Sequence, residues 1–404
     1  MFNLSYEFKL KPTQNQSAMF EEWLEIHRRV YNYALAERKD WYKSRSCQVN
    51  ACSLQSCYII SADAPRPTFA SQGKSLTVAR KNNEHLKRVN AQSLQQTLKR
   101  LEKAFVSMWE QNHGFPRFKK SGRMRSFSFP QLGHNPLSNG IVKLPVIGAV
   151  KVRQSREIPA GGIIKQARVV KRVSGWYVML TIQWDVDIPT VMPHGDAVGI
   201  DVGLISFVAT SNGFLIKRPS FFVDAERQLK LLQQRVSRKR LGSNNWKKAH
   251  RKVAVLHEYV ANCRKDWHRK LSHQLCDNVG MVFVEDLNIV GLSRGMLGKH
   301  CLDAGFGQFF NILEQTCLKR DVYFQKVDSR KTSQICPRCS VVTGKKELSE
   351  RTHSCSNCGY TTSRDVAAAQ VVLIRGLAAV GHTVKMLAEG KFIGIPMTQE
   401  SSRL

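Results

Sequence analysis

Acidic residues are scarce in this chain: 31 Asp and Glu stand against 62 Lys and Arg among 404 residues, a formal charge of +31. Such an excess goes far beyond what solubility requires. Phosphate polyanions are its natural partner, because each neutralised phosphate releases condensed counterions; a generally basic surface, or association with a ribosome, is the plainer alternative. Long apolar runs are missing as well. No stretch approaches the roughly 18 uncharged apolar residues of a membrane span, so no membrane partner is expected. The opening residues lack a basic leader joined to an apolar core, and a soluble, cytoplasmic protein is the expectation. There is no fixed-period repeat. The 11 cysteines are odd in number and unevenly placed, which suits a reducing compartment better than a disulfide framework. Cys47, Cys52 and Cys57 match no ligand pattern and read as free thiols.

A chain of this length exceeds what one hydrophobic core serves, so about two to four domains are expected. Residues 4–11 alternate apolar and polar up to Pro12, which predicts a half-buried strand. From Thr13 the apolar positions Phe20, Trp23, Leu24, Tyr31 and Leu35 recur at helical spacing. Residues 47–81 read as irregular, and a second helix starts near Asn90 with Leu94, Leu98, Leu101, Phe105 and Met108 as its stripe. From Gly114 the texture changes to short strands: 126–129, 141–144, 149–152, 167–173 and 176–184, the last two joined by a hairpin turn at 173–176. This spacing predicts a small barrel or sandwich, joined by the N-terminal strand and interrupted by the helices.

Residues 189–195 read as a linker. A buried strand ending in Asp201 follows, then a hairpin turning at Ser211-Asn-Gly213, two helices over 224–278 hinged near Gly242, a buried strand ending in Glu285, a helix over 303–320 and a strand over 322–327. That order is ribonuclease-H-like. The tail beyond about Val384 lacks periodicity and reads as flexible.

Two motifs carry chemistry. Cys336-Pro-Arg-Cys339 and Cys355-Ser-Asn-Cys358, 15 residues apart, have the spacing of a four-thiolate zinc site, since each pair sits on a tight turn aiming both sulfurs at one ion. Asp201, Glu285 and Asp365 occupy two strand ends and a helix start, which brings three carboxylates to one sheet edge. Hard oxygen ligands there suit magnesium or manganese, and a pair of such ions suits phosphodiester hydrolysis. Asp286 points the other way on its strand and is secondary. Between Arg227 and Lys270, fourteen Lys or Arg face two acids, too one-sided for surface ion pairing. Candidate nucleic-acid contacts are Arg28, Arg29, Arg117, Lys119, Lys120, Lys247, Lys248, Arg251, Lys252 and Arg364.

Together with the cysteine pairs, the segments Gly114-Phe-Pro-Arg-Phe-Lys119, Gly199-Ile-Asp-Val-Gly203, Val284-Glu-Asp-Leu287, Asp303-Ala-Gly-Phe306 and Thr332-Ser-Gln-Ile-Cys336 resemble the transposon-encoded TnpB (OrfB) family, compact relatives of type V CRISPR nucleases. The resemblance implies a multidomain α/β protein: a wedge β-barrel (1–12 plus 114–190), a helical recognition lobe (13–113), a ribonuclease-H-like RuvC nuclease domain (191–330 plus 361–384) with an inserted zinc ribbon (331–360), and a flexible tail (385–404). It places Asp201, Glu285 and Asp365 on the RuvC triad and the four cysteines on the zinc. It further implies a magnesium-dependent endonuclease guided by an RNA from the transposon end. That enzyme cuts double-stranded DNA beside a short motif, as a monomer with one RNA, in the cytoplasm and on the nucleoid when bound to DNA. A guided binder that represses without cutting, a CRISPR effector and a transposase proper are the alternatives; no hydroxyl or phenol nucleophile motif supports the last. Ser363 and Ala367 stand where the family motif has Asp and Asn, and Ser340 stands where a Gly commonly follows the second cysteine.

Overall fold

A computed structural model describes residues 2–46, 60–133, 136–187, 190–347, 349–386 and 392–396. Cys47, Cys52 and Cys57 lie outside the described residues. The chain forms two compact units, Met1–Ile188 and Pro189–Leu404. Among the described residues no helix is long and apolar enough to cross a membrane.

In the first unit, strand β1 (Phe2–Lys11) leads into helices α1 (Gln14–Ser46), α2 (Phe69–Asn82), α3 (Glu84–Lys87) and α4 (Ala91–Glu110). Strands β2 (Ser126–Phe129), β3 (Leu137–Ser138), β4 (Ile141–Leu144), β5 (Gly148–Arg153), β6 (Ile163–Arg172) and β7 (Gly175–Trp184) complete it. The seven strands form one antiparallel sheet in the order β2-β6-β7-β1-β5-β4-β3. β1 sits at its middle although it is separated from its partners by the whole helical insert. Alternation along β7 buries Trp176, Val178, Leu180 and Ile182, and these meet Phe20, Trp23, Leu94 and Leu98 from the helices in one core. Helix α2 occupies part of the segment read as irregular. It buries only Gln72, whose amide donates to Ala34 O at 2.9 Å and to Glu37 at 2.7 Å, so it carries almost no apolar periodicity to read.

The second unit holds strands β8 (Ala197–Asp201), β9 (Ser206–Thr210) and β10 (Leu215–Lys217), helices α5 (Phe221–Ser237) and α6 (Asn244–Leu275), strand β11 (Met281–Glu285), helices α7 (Ile289–Arg294), α8 (Gly298–Ala304) and α9 (Phe306–Lys319), and strand β12 (Tyr323–Val327). It continues with the hairpin β13 (Thr352–Ser354) and β14 (Thr361–Ser363), helix α10 (Arg364–Ala379), and strands β15 (His382–Met386) and β16 (Phe392–Pro396). The order of the five-stranded sheet is β10-β9-β8-β11-β12. β8, β11 and β12 run parallel, β9 pairs antiparallel with β8, and β10 pairs antiparallel with β9.

The single helix expected over 303–320 is divided at Gly305, whose backbone is left-handed (φ +67°) and ends α8, a conformation that costs glycine nothing sterically. Of the tail expected to be flexible, residues 387–391 and 397–404 lie outside the described residues; β15, which begins ahead of it, and β16 pair antiparallel from His382–Pro396 to Met386–Phe392. One face of the sheet is covered through Val198, Ile200, Val282 and Val284, packed against Phe306, Phe309 and Leu313 of α9 and Leu271 of α6. On the other face Met281 and Phe283 pack against Val372, Leu373 and Leu377 of α10.

Candidate metal centres

Side chains alternate across a strand, so the two faces of β8 and β11 fix where their terminal acids point. Val198 and Ile200 face α9; Gly199 and therefore Asp201 face α10. Val282 and Val284 face α9; Met281, Phe283 and therefore Glu285 face α10, while Asp286 falls on the opposite side. Ile200 pairs with Val284 in parallel register, so Asp201 and Glu285 are neighbours on adjacent strands.

Helix α10 is pressed hard onto these strands. A Cβ at Gly199 would lie 2.2 Å from Ala369 O and 2.6 Å from Leu373 N, and one at Gly376 would lie 2.1 Å from the Phe283 ring. Counting back from Ala369 to Asp365 spans about 6 Å of helix, matching the roughly 6.6 Å of strand from Gly199 to Asp201. This places the first turn of α10 towards the carboxyl ends of β8 and β11, although among the described residues only the cysteine cluster brings three or more ligand atoms within 4.8 Å of one another.

The electrostatics agree with that placement. Burial, then the charges of Glu285 and Asp365, push the Asp201 carboxyl well above the usual carboxylate range. Burial also raises Glu285, opposed by hydrogen bonds from Thr332 and Asp201 and by the Arg375 charge. Buried carboxyls raised by burial, one of them also by its neighbours' charge, are a donor set suited to hard divalent cations. Thr332 and Arg375 carry no motif of their own for this role; Thr332 lies in the quoted Thr332-Ser-Gln segment, and only the fold brings Arg375 near.

The four cysteines converge with their sulfurs all within 4.8 Å. Cys336 and Cys358 are 3.6 Å apart and Cys339 and Cys355 3.5 Å, close to the roughly 3.8 Å edge of a zinc tetrathiolate. The two knuckles are built alike. Cys336 N donates to Val341 O at 2.9 Å and Ser340 N to Cys336 O at 2.9 Å; Cys355 N donates to Tyr360 O at 3.0 Å and Gly359 N to Cys355 O at 2.9 Å. The fifth residue of each is left-handed, Ser340 at φ +60° and Gly359 at φ +69°. Hydrogen bonds from the Asn357 side chain and the Val341 N–H hold the Cys339 thiol down to about 6, whereas burial pushes the Cys336 thiol up.

The second knuckle tips the β13–β14 hairpin, and β14 runs directly into α10. Tyr360 Oη donates to Gln370 at 2.8 Å, and Arg364 Nη1 donates to the carbonyls of Glu347 at 2.8 Å and Glu350 at 3.2 Å. The cysteine cluster and the start of α10 are one construction, and Arg364, nominated for nucleic acid, is partly engaged inside it.

The remaining candidate contacts are dispersed. Arg28 is bound to both oxygens of Glu25, at 2.6 and 2.8 Å, and to Lys119 O at 3.1 Å. Arg29 reaches Glu25 at 3.2 Å while staying exposed. Arg117 and Lys120 are exposed, and the Lys119 ammonium lies 5.4 Å over the Tyr31 ring. Lys247, Lys248, Arg251 and Lys252 all lie exposed on α6.

Comparison with known proteins places this architecture. A "Probable transposase" family model matches residues 180–295, a "Cas12f1-like, TNB domain" model residues 306–372, and a "Helix-turn-helix domain" model residues 1–47; over the last range the described chain holds β1 and the single helix α1. "Putative RNA-guided DNA endonuclease" of Streptomyces pristinaespiralis is 30% identical over 93% of this chain and 90% of its own length. "Putative RNA-guided DNA endonuclease InsQ" of Escherichia coli (strain K12) is 28% identical over 99% of this chain and 98% of its own. The fold matches the protein in "Cryo-EM structure of the Cas12f1-sgRNA-target DNA complex" with a TM-score of 0.54 at 15% identity, covering 89% of this chain and 83% of that one. The chain shares the fold of that Cas12f1 protein. The chain belongs to the TnpB family.

Proposed function

We propose that this chain is an RNA-guided DNA endonuclease. It hydrolyses phosphodiesters at one centre formed by Asp201, Glu285 and Asp365, in the manner of a RuvC domain, with the four-cysteine cluster holding structural zinc. The observation that carries the reading is the placement of Asp201 and Glu285 side by side on the α10 face of the sheet, with the Asp365 charge acting on Asp201. The strand order, with parallel β8, β11 and β12 flanked by the returning hairpin, supports a ribonuclease-H-like domain. The relatives whose names specify RNA-guided cutting of DNA span nearly the whole chain.

In this reading Asp201, Glu285 and Asp365 hold the hard cations. Two magnesium ions, when bound, supply an activated water and stabilise the departing oxygen. The chain's own part is orientation. β8 and β11 present two carboxyls side by side, Thr332 fixes Glu285, and the cysteine hairpin together with Arg364 sets the first turn of α10. A guide RNA derived from the transposon end pairs with one target strand beside a short recognised motif. The exposed cations of α6 lie along the nucleic acid, and the protein acts as a monomer with one RNA.

Binding without efficient cutting is a second reading, favoured by Ser363, whose side chain makes no capping hydrogen bond at the start of α10. Ala367, buried in the first turns of α10, likewise offers no polar group. Purified protein with guide and magnesium is expected to linearise a matched plasmid. Asp201→Ala should abolish cutting and preserve binding; cutting by that variant at the wild-type rate overturns the proposal, and absence of cutting by the wild type with binding intact selects the second reading.

A further inference from the structure

The loop between α4 and β2 carries Arg117, Lys119, Lys120, Arg123 and Arg125 and no acid between positions 111 and 125. It doubles back along α1. Phe115 meets Tyr42 edge-on at 5.9 Å, the Lys39 ammonium lies 5.2 Å from the Phe118 ring, and Lys119 exchanges backbone hydrogen bonds of 2.8 and 2.9 Å with the Asn32 amide. From Asn32 to Tyr42 the helix rises about 15 Å, and the loop from Phe115 to Lys119 can span about 14 Å, so it lies nearly fully extended against the helix. Phe115 also packs edge-on against Phe105 at 5.4 Å, and Phe105 contacts Trp109 at 5.7 Å. The Arg66 guanidinium lies 4.5 Å over the Trp109 ring.

Three rings in this one region stay open to solvent: Trp109 is 42% exposed, Phe115 39% and Phe118 45%. Protein partners bury such rings among aliphatic side chains. Here two of the three rings are already paired with a cation, Trp109 with Arg66 and Phe118 with Lys39. Exposed π-faces interleaved with Lys and Arg are how unpaired nucleotides are held, the bases stacking and the phosphates neutralised. A duplex offers no free base face, so it gains nothing from the rings.

We propose that Trp109, Phe115 and Phe118, with Lys39 and Arg66, form a stacking platform for unpaired bases of the guide RNA. The inference rests on the guided-nuclease reading and extends it to a specific contact. RNA rather than DNA is assigned because solvent-open aromatic surface calls for a standing occupant, and in that reading the guide stays bound while target DNA comes and goes.

The test uses the full chain stripped of RNA and three labelled probes of equal length: oligoadenylate RNA, oligodeoxyadenylate, and an RNA duplex. Trp109→Leu/Phe118→Leu keeps apolar bulk and removes the π-faces. It is expected to bind oligoadenylate RNA about tenfold or more weakly, with duplex binding and the salt dependence of binding unchanged. Lys39→Gln/Arg66→Gln leaves the rings in place and provides the second variant should the first lose stability; it is expected to weaken the same RNA selectively. Unchanged affinity for the RNA in a folded variant, an equal loss on the duplex, or a loss confined to the DNA probe each overturns the platform. A wild-type protein that binds no RNA probe overturns the nuclease reading itself, whereas normal RNA binding by the leucine variant overturns only the platform.

Discussion

Gly199→Ala is the smallest change that separates the two halves of the proposed catalytic centre. The added methyl would sit 2.2 Å from Ala369 O, against 3.4 Å for ordinary contact, and 2.6 Å from Leu373 N. Both obstacles are backbone of α10, so no side chain can swing aside, and the helix must retreat from β8 by about 1 Å. Overpacking of this kind costs about 1–3 kcal/mol, and a backbone obstacle puts it at the upper end. A domain with about 5–15 kcal/mol in hand survives that loss, so the protein should still fold. Its cutting should not survive equally well, because the same retreat carries Asp365 away from Asp201 and Glu285, and a displacement of about 1 Å costs about 100-fold. Urea denaturation and time courses on a matched plasmid measure the two effects. Gly376→Ala, obstructed by the Phe283 ring at 2.1 Å, provides the contrast, because Phe283→Leu can relieve it partly. Wild-type stability in Gly199→Ala, with cutting within about threefold of normal, would refute the view that close approach of α10 seats Asp365.

Other perturbations probe the rest of the chain. Ser340→Gly should raise the thermal midpoint of the zinc-loaded protein and stabilise it by about 1 kcal/mol, since Ser340 holds φ +60°, a conformation disfavoured for L-residues; an unchanged or lowered midpoint counts against this. Val146→Asn should stabilise the first unit by about 1 kcal/mol, because a β-branched residue at φ +69° is strained, and urea titration checks it. Cys355→Ser should lose bound zinc by mass spectrometry and cutting activity together, as the hairpin it tips leads straight into α10; full activity without zinc contradicts that coupling. His27, buried between Thr97 at 2.6 Å and Ser93 at 3.2 Å, has its imidazole pushed down to about 3 by burial and the nearby Arg100. Its folded value lies below its unfolded one, so its share of stability is present above about pH 6.5 and lost on acidification towards about 3, at about 1.4 kcal/mol per pH unit. His27→Gln should flatten the difference between urea midpoints at pH 5 and 7; an identical difference in both proteins sinks the assignment.

What could be read from the sequence divides along physical lines. β7 and β11 announce themselves because period-two alternation and dense apolar runs are local properties of a strand. The same alternation fixes that Asp201 and Glu285 share a face while Asp286 does not, once the two strands lie side by side. The cysteine pairs are legible because each knuckle is closed within six residues by its own backbone hydrogen bonds. Helix α2 is illegible for the opposite reason: its only buried side chain is polar, and its start is held by the reciprocal Thr68–Ser71 cap rather than by an apolar stripe. The break at Gly305 is hidden because the pattern resumes at Phe306 with its phase little disturbed.

Charge is the property that sequence reports most loudly and places least well. Arg364 and Arg28 stand in basic surroundings and suggest phosphate contacts, yet the first ties the carbonyls of Glu347 and Glu350 to the head of α10, and the second bridges Glu25 to the carbonyl of Lys119. Both are cations used as multi-pronged donors within the chain itself, which guanidinium geometry permits and an ammonium does less well. Arg364→Lys should therefore impair the catalytic centre more than it impairs DNA binding. Lys248→Ala and Lys252→Ala, on the open face of α6, should do the reverse, weakening binding and lessening its salt dependence by about one unit of slope per lost phosphate contact. Parallel binding and cleavage titrations across salt concentration separate the two patterns, and a loss of binding equal to the loss of cutting in Arg364→Lys would return that residue to the nucleic acid.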